Sequence, residues 1–221
     1  MPHMLVPPPD APWLENGPEG YHILTGIMIP NVVRGPLVVP GTYTVRLAAG
    51  GRTLTAPLTV LPDPRSPGTG ASMASELRFQ NEMIREIADV SDMIEHLERV
   101  RQQIAKIEQQ YGHDPAHQAV IDAGRKLAER VMAVENELID IYLTNGNEDL
   151  NRHPSQLYQK LTALYDKAQA DLGPTASEEA VNDSLRAWIE KSNGRLRLLI
   201  NEDVSGFNEV LKAHHLPIIQ P

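Results

Sequence analysis

The chain has 221 residues, enough for one or two domains with a buried core. Its 29 acidic and 20 basic residues give a net charge of -9, which disfavours nucleic acids and anionic membrane surfaces as partners. Cysteine is absent, which excludes disulfides, thiolate nucleophiles and cysteine-ligated metal sites. No apolar run approaches the ~20 residues needed to span a bilayer. The proline-rich start, Met1 to Trp13, lacks the basic and apolar regions of a signal peptide.

Proline content and charge divide the chain into two unlike parts. Thirteen of the 18 prolines lie before residue 76. Residues 76–221 hold 16 basic and 25 acidic residues and therefore carry the whole net charge (16 - 25 = -9). Proline-rich, uncharged sequence is typical of short strands and turns, and sequence rich in Glu, Gln, Arg and Leu favours helix. We predict a small β unit over residues 1–63, a Pro/Gly linker over residues 64–75 and a helical part over residues 76–217.

The first part contains the pattern of a β hairpin. Residues 42–47 and 54–60 each alternate apolar and polar side chains, and Gly50-Gly51 between them can adopt the positive φ of a tight turn. The apolar stretch from Tyr21 to Ile29 predicts a further strand. Three or four strands are fewer than the seven of an immunoglobulin-like sandwich, so the residues predict a small antiparallel β unit, and at most a partial immunoglobulin-like one. One apolar face then needs a cover, and we expect it either to dock on the helices or to be completed by dimerisation through the hairpin edge.

The second part contains four amphipathic patterns with apolar residues three and four positions apart. In the first pattern this stripe comprises Ile84, Ile87, Val90, Ile94, Leu97, Val100, Ile104, Ile107 and Tyr111. The predicted helices run from Ser75 to Tyr111, from Asp114 to about Asn145, from Pro154 to Leu172 and from Ser177 to Pro217. Short connections between long helices favour antiparallel neighbours, so we predict a mainly α fold, a long antiparallel four-helix bundle. Trp188 and Phe207 lie on the stripes and are predicted to be core residues.

Histidine pairs are the sharpest candidates for chemistry. His113 and His117 are four residues apart and could share a metal ion. The sequence Asp114-Pro115 starts the helix between them, however, so they need not share a helical face, and a solvated corner is favoured. His214-His215 is better explained by a helix C-terminus, where the helix dipole favours imidazolium. We predict no metal and no cofactor.

Carboxylate pairs are abundant, and we expect them to be solvated on helix faces. A di-metal site would need two Glu-x-x-His repeats, which the chain does not contain, and no Gly-x-Ser-x-Gly elbow or Gly-x-x-x-x-Gly-Lys loop is present. The sequence therefore predicts no catalytic, cofactor-binding or metal-binding residue, and a chain that is not an enzyme. The pairs expected to be solvated are Asp89 with Asp92, Glu95 with Glu98, and Glu135 with Glu137.

Four segments carry a resemblance to a known family. The run from Gly35 to Leu47, the run from Ala56 to Val60 and Asp63-Pro64-Arg65 resemble the region that follows the propeller in bacterial sortilin-like or BNR-repeat glycosyl hydrolases. The stretch from Asn201 to Pro217 is similar to the end of the helical tail in that family. The resemblance covers residues 35–217 and implies an immunoglobulin-like module followed by a helical tail, in a family whose members look exported. The β-propeller, where glycosidase chemistry of the family would reside, has no counterpart here.

These observations predict a non-catalytic structural or protein-interaction module that resembles the C-terminal accessory region of the propeller proteins. Its predicted partner is another protein, or a second copy through the β unit. The alternative is an accessory domain that touches the substrate beside a glycoside hydrolase propeller on another polypeptide. Such a domain would contact sugar through exposed rings, for which Trp13 and Tyr21 are the candidates.

Overall fold

The structure is a computed structural model, and the residues it describes are 4–5, 22–23, 35–140, 154–168 and 171–220. These residues are mainly helical and carry two small antiparallel sheets of two strands each. A 3-10 turn at Pro115–His117 precedes the helix Gln118–Leu138, and a π-helical segment at Leu199–Val204 joins the helix Ala176–Leu198 to the helix Ser205–Ala213 without a break. The elements are β1 (Met4–Leu5), β2 (His22–Ile23), β3 (Gly41–Ala49), β4 (Arg52–Val60), α1 (Gly70–Tyr111), α2 (Gln118–Leu138), α3 (Leu157–Lys167), α4 (Ala176–Leu198) and α5 (Ser205–Ala213).

The predicted hairpin is confirmed as β3 and β4. Each strand has nine residues, and Ala49 pairs with Arg52 across the turn. Gly50 and Gly51 have φ values of 55° and 73°, the left-handed pair that a two-residue type I′ turn requires. Of the further strand predicted at residues 21–29, only the two residues of β2 are described, and they pair with β1. The described strands form two separate two-stranded sheets, and an immunoglobulin-like fold is not shown.

Capping side chains set the helix starts. Helix α1 begins five residues before the predicted Ser75, because Thr69 and Ser72 form a capping box. The Ser72 amide donates to Thr69 Oγ1 at 3.1 Å, and the Thr69 amide donates to Ser72 Oγ at 2.8 Å. Helix α4 begins at the same kind of box, formed by Thr175 and Glu178. Helix α3 ends at Lys167, before the predicted end at residue 172. Helix α2 ends at Leu138, before the predicted end near residue 145, because Ile139 has an extended backbone with φ of -145° and ψ of 142°.

Contacts between α1 and α2 show that the two helices are antiparallel. Arg101 of α1 bonds Glu135 near the end of α2, whereas Glu108, later in α1, bonds Arg125, earlier in α2. The chain therefore turns back on itself at the 3-10 turn, as the short connection predicts.

Helix α3 is also antiparallel to α1, but lies along its first half. Gln80 bonds the carbonyl of Ala168, just past the end of α3, and Ser91 bonds Tyr158 near its start. Since α1 has 42 residues and α2 and α3 have 21 and 11, the two shorter helices can follow one another along a single long neighbour.

Helices α4 and α5 run parallel to α1. Asn182, early in α4, donates to Glu86 in the first half of α1. Phe207 of α5 and Ile104 in the second half of α1 both lie 3.3 Å from the position of a Cβ built on Gly124. Consecutive helices α2 and α3 thus point the same way, and the predicted four-helix bundle is not confirmed. The contacts give two long parallel rows, α1 and α4–α5, with α2 and α3 in succession as a third.

Six of the nine residues in the predicted apolar stripe of α1 are buried, and Ile87 and Tyr111 are half-buried. Leu97 and Ile94 are fully buried in the common core. Ile84 is an exception at 36% exposure, and Met83 is buried in its place. Along α4 and α5, the consecutive buried residues Leu199 and Val204 are five positions apart. The π-helical segment between them therefore keeps the buried face of α5 turned toward the core. Among the described helices, none combines the length and apolar character needed to cross a bilayer.

Candidate interaction surface

One face of the hairpin is apolar and exposed. The pairing register places Tyr43, Val45 and Leu47 of β3 beside Leu58, Ala56 and Leu54 of β4, and alternate residues of a strand share one face. Val45, Leu47, Leu54 and Leu58 are 49 to 64% exposed. The described helices therefore do not cover this face, and the expected docking on the helices is not seen. We call these six residues the apolar hairpin face.

The opposite face of the hairpin is rich in threonine. Thr42, Thr44 and Arg46 of β3 lie there, together with four residues of β4 that pair with them and with Ala48. All of these residues are exposed. Residues 41–60 contain two arginines, Arg46 and Arg52, and no acidic residue, so the hairpin is positive while the helical part is strongly negative. The four β4 residues of this face are Thr53, Thr55, Pro57 and Thr59.

Apolar surface continues from the hairpin base toward α1. The Tyr43 hydroxyl donates to the Val39 carbonyl at 2.5 Å and fixes the segment that enters β3. A groove of about 410 Å³ lies between this base and the first turns of α1, lined by apolar residues that include Val38, Leu61 and Met73. Leu61 is itself exposed. The groove thus extends the surface that a partner could contact.

Two polar side chains of α1 also line the groove. Gln80 donates to Glu76 Oε1 at 3.0 Å and to the carbonyl of Ala168. Burial raises the pKa of Glu76, the bond from Gln80 opposes that rise, and the nearby Glu178 adds to it. Among the described residues that line the groove, none carries a hydroxyl, imidazole or amine side chain beside the carboxyl groups of the lining, Asp63, Glu76 and Asp171. The groove therefore offers apolar contact and carboxylate oxygens.

The expected solvation of Glu98 and Glu135 is wrong. Both are buried, with Arg101, in the seam between α1 and α2. Arg101 Nε lies 2.6 Å from Glu135 Oε2 and Arg101 Nη2 lies 2.8 Å from Glu135 Oε1, a forked pair that compensates the buried charges. Burial raises the pKa of Glu98 to about 9, with Glu135 adding to the rise and Arg101 opposing it. Burial also raises the pKa of Glu135, against the opposing effect of Arg101.

A signal for these buried charges is present in the sequence. Glu98 follows the core residue Ile94 by four positions, and Glu135 follows Val131 by four. Charged residues that lie three or four positions from core residues of a helix are candidates for buried pairs. The abundance of carboxylates in the sequence, taken alone, favoured solvated pairs.

The histidine pairs do not gather into a metal site. His113 is exposed, and His117 Nδ1 lies 2.9 Å from Asp114 Oδ2. The centroid of the His117 ring is 5.0 Å from that of Tyr111, with the two rings tilted by 42°, and 6.1 Å from that of His214. Within the described ranges, no three His, Asp or Glu side chains are grouped to hold a metal ion. His215 has a φ of 57° and turns the chain at the end of α5.

The large aromatic rings divide between the core and its edge. Phe207 is buried as predicted, and Phe79 joins it in the core. Trp188 is half-buried, with the Lys160 ammonium 4.7 Å from its ring centroid. The two candidate sugar-contacting rings, at positions 13 and 21, lie outside the described residues.

No known protein family, curated protein or solved structure matches the chain.

Proposed function

We propose that this chain is a non-catalytic protein-interaction module in which the helices hold a β hairpin out for contact with another protein or with a second copy of the chain. The exposed apolar hairpin face carries this proposal. Monomeric proteins seldom leave a contiguous apolar patch of large side chains uncovered, and such patches mark interaction sites. Its central members are Val45, Leu47 and Leu58.

The arrangement of the rest of the chain supports the proposal. The core lies in the helical part, and the hairpin residues do not belong to it. The free energy of folding therefore comes from the helices, and the hairpin side chains remain available to a partner. An immunoglobulin-like sheet completed by such a partner, and a bundle-like helical support, belong to this proposal.

Photo-crosslinking in cells of the source organism tests it. A photoreactive residue at Val45 should crosslink to a defined protein. In a separate variant, Val45→Asp should abolish the complex with that protein, because it places a charge in the apolar hairpin face. The matched control is a photoreactive residue at Leu198, which is equally apolar and 58% exposed but lies on α4. Crosslinks at Val45 that are absent at Leu198 would support an interaction surface. Identical crosslinking at the two sites, or none at Val45, would contradict it.

A further inference from the structure

The register of the hairpin shows which backbone groups face outward. In a two-residue type I′ hairpin, the residues that flank the turn exchange both hydrogen bonds, and hydrogen-bonded pairs then alternate with non-bonded ones. Ala49 and Arg52 flank the turn, so the bonded residues of β3 are the odd-numbered ones. The N–H and C=O groups of Thr42, Thr44, Arg46 and Ala48 therefore point away from β4.

The two outer edges are not equivalent. Pro57 pairs with Thr44, and this places its nitrogen, which has no hydrogen, on the outer edge of β4. A strand added to β4 would meet a missing donor in the middle of the ladder, as on the edges that proteins protect from pairing. The outer edge of β3 has no proline and keeps every donor. Addition of a strand is therefore favoured at β3.

We infer that β3 is the docking edge, and that it pairs antiparallel with β3 of a second copy of this chain to form one four-stranded sheet. This inference rests on the proposed function, because it identifies the contact that the exposed hairpin makes. Two strands alone are marginal in water, whereas three or more with an apolar face are stable. The pair is isologous, with a two-fold axis perpendicular to the sheet.

One register makes the two edges complementary. With the axis beside Val45, Thr44 pairs with Arg46 of the second copy and Thr42 pairs with Ala48 of the second copy. Four bonded pairs with two bonds each give about eight hydrogen bonds between the copies. On the apolar side, Val45 meets Val45 and Tyr43 meets Leu47. Every apolar side chain then has an apolar neighbour, and each Arg46 faces a threonine.

Other registers are less favourable. A shift that centres the axis on Arg46 places the two arginines directly opposite each other, which is destabilising. A shift that centres it on Thr44 places Leu47 opposite Gly41 and removes an apolar contact. A shift of a single residue turns the apolar face of one copy to the threonine side of the other.

Sedimentation of the full chain across the micromolar range tests the inference with a matched pair of variants. Thr44→Pro removes a donor from the outer edge of β3, and Thr55→Pro removes one from the outer edge of β4. Since β4 already holds Pro57 in an equivalent position, neither variant breaks a bond within the hairpin. We expect a dimer for wild type and Thr55→Pro. Thr44→Pro removes two hydrogen bonds per dimer and should weaken association about 30-fold.

Disulfide trapping tests the register, since the chain has no cysteine of its own. Val45→Cys should oxidise to a covalent dimer, because non-bonded pairs bring opposite Cα atoms within disulfide reach. Ala56→Cys, at the same level and on the same face of β4, should not. A monomeric wild type, equal weakening by both proline variants, or equal trapping at both cysteines would overturn the inference. If the chain is monomeric and Val45 still crosslinks to another protein, the β3 pairing fails and the proposed function stands.

Discussion

Replacing Glu98 by Gln should change how stability depends on pH. Burial raises the pKa of Glu98 from 4.5 to about 9, so the folded chain holds this proton more tightly than the unfolded chain does. Glu98 Oε1 has no hydrogen-bond partner among the described residues, which leaves burial uncompensated. The unfolded state gains free energy by releasing the proton above pH 4.5. The contribution of protonated Glu98 to folding stability is therefore fully present below pH 4.5 and is lost progressively as the pH rises toward 9.

The expected magnitude follows from these two values. Between pH 5 and pH 8, keeping the proton costs about 1.4 kcal/mol per pH unit, or about 4 kcal/mol at most over the interval. Gln has nearly the same shape and carries no titrating proton, so Glu98→Gln should lack this loss. The stability difference between Glu98→Gln and wild type should grow by up to about 4 kcal/mol over the interval.

Urea unfolding followed by far-ultraviolet circular dichroism at pH 5, 6, 7 and 8 measures this difference. The matched control is Asp92→Asn, which changes an exposed carboxylate to an amide six positions earlier on the same helix. Its stability should follow that of the wild type throughout. Parallel pH profiles for Glu98→Gln and wild type would refute the reasoning, because they would show that Glu98 titrates alike in the folded and unfolded states.

Three further predictions concern the core and the histidines. Leu97→Ala should cost about 2–5 kcal/mol in urea unfolding, whereas Ile84→Ala, on the exposed border of the same stripe, should cost clearly less; equal costs would show that the stripe is not the buried face. Arg101→Met should cost about 3–5 kcal/mol because it leaves Glu135 buried without its partner, and Arg101→Met combined with Glu135→Leu should recover most of that loss; failure to recover would contradict the pairing. Metal analysis of the purified chain should find no stoichiometric zinc, and one equivalent that is lost in His117→Ala would revive the metal site.

Local patterns predicted the elements of the fold well. The alternation in residues 42–60 and the paired glycines at 50 and 51 predicted the hairpin because a two-residue turn leaves few alternatives. The helix periodicity predicted six buried residues of α1, because residues three and four positions apart lie on the same side of a helix. The capping box at Thr69 was available in the sequence as well, and it accounts for the earlier start of α1.

The direction of the helices could not be predicted from local patterns. Short connections favour antiparallel neighbours, but α2 and α3 are each much shorter than α1 and can follow one another along it. Relative helix length, together with the cross-helix contacts of Gln80 and Arg101, determines the three rows. Pairwise contacts of this kind depend on the whole fold, and the spacing of apolar residues does not encode them.

The burial of Glu98 and Glu135 was missed for a different reason. Carboxylates on helices are mostly solvated, and the abundance of acidic residues made the pairs look ordinary. Their positions on the apolar stripes were informative, and Arg101 at stripe spacing from Leu97 completes the pattern. The exposed hairpin face, by contrast, was recognised in the sequence as a face that needs a cover, and the described helices do not provide it.

The most direct test of the central claim compares the thermal unfolding and the sedimentation of Val45→Asp with those of the wild type. If the apolar hairpin face serves association, the substitution should leave the unfolding midpoint of the helices unchanged and abolish self-association. If the face instead belongs to the core of the folded chain, the midpoint should fall as it does for Leu97→Ala, and that result would contradict the account.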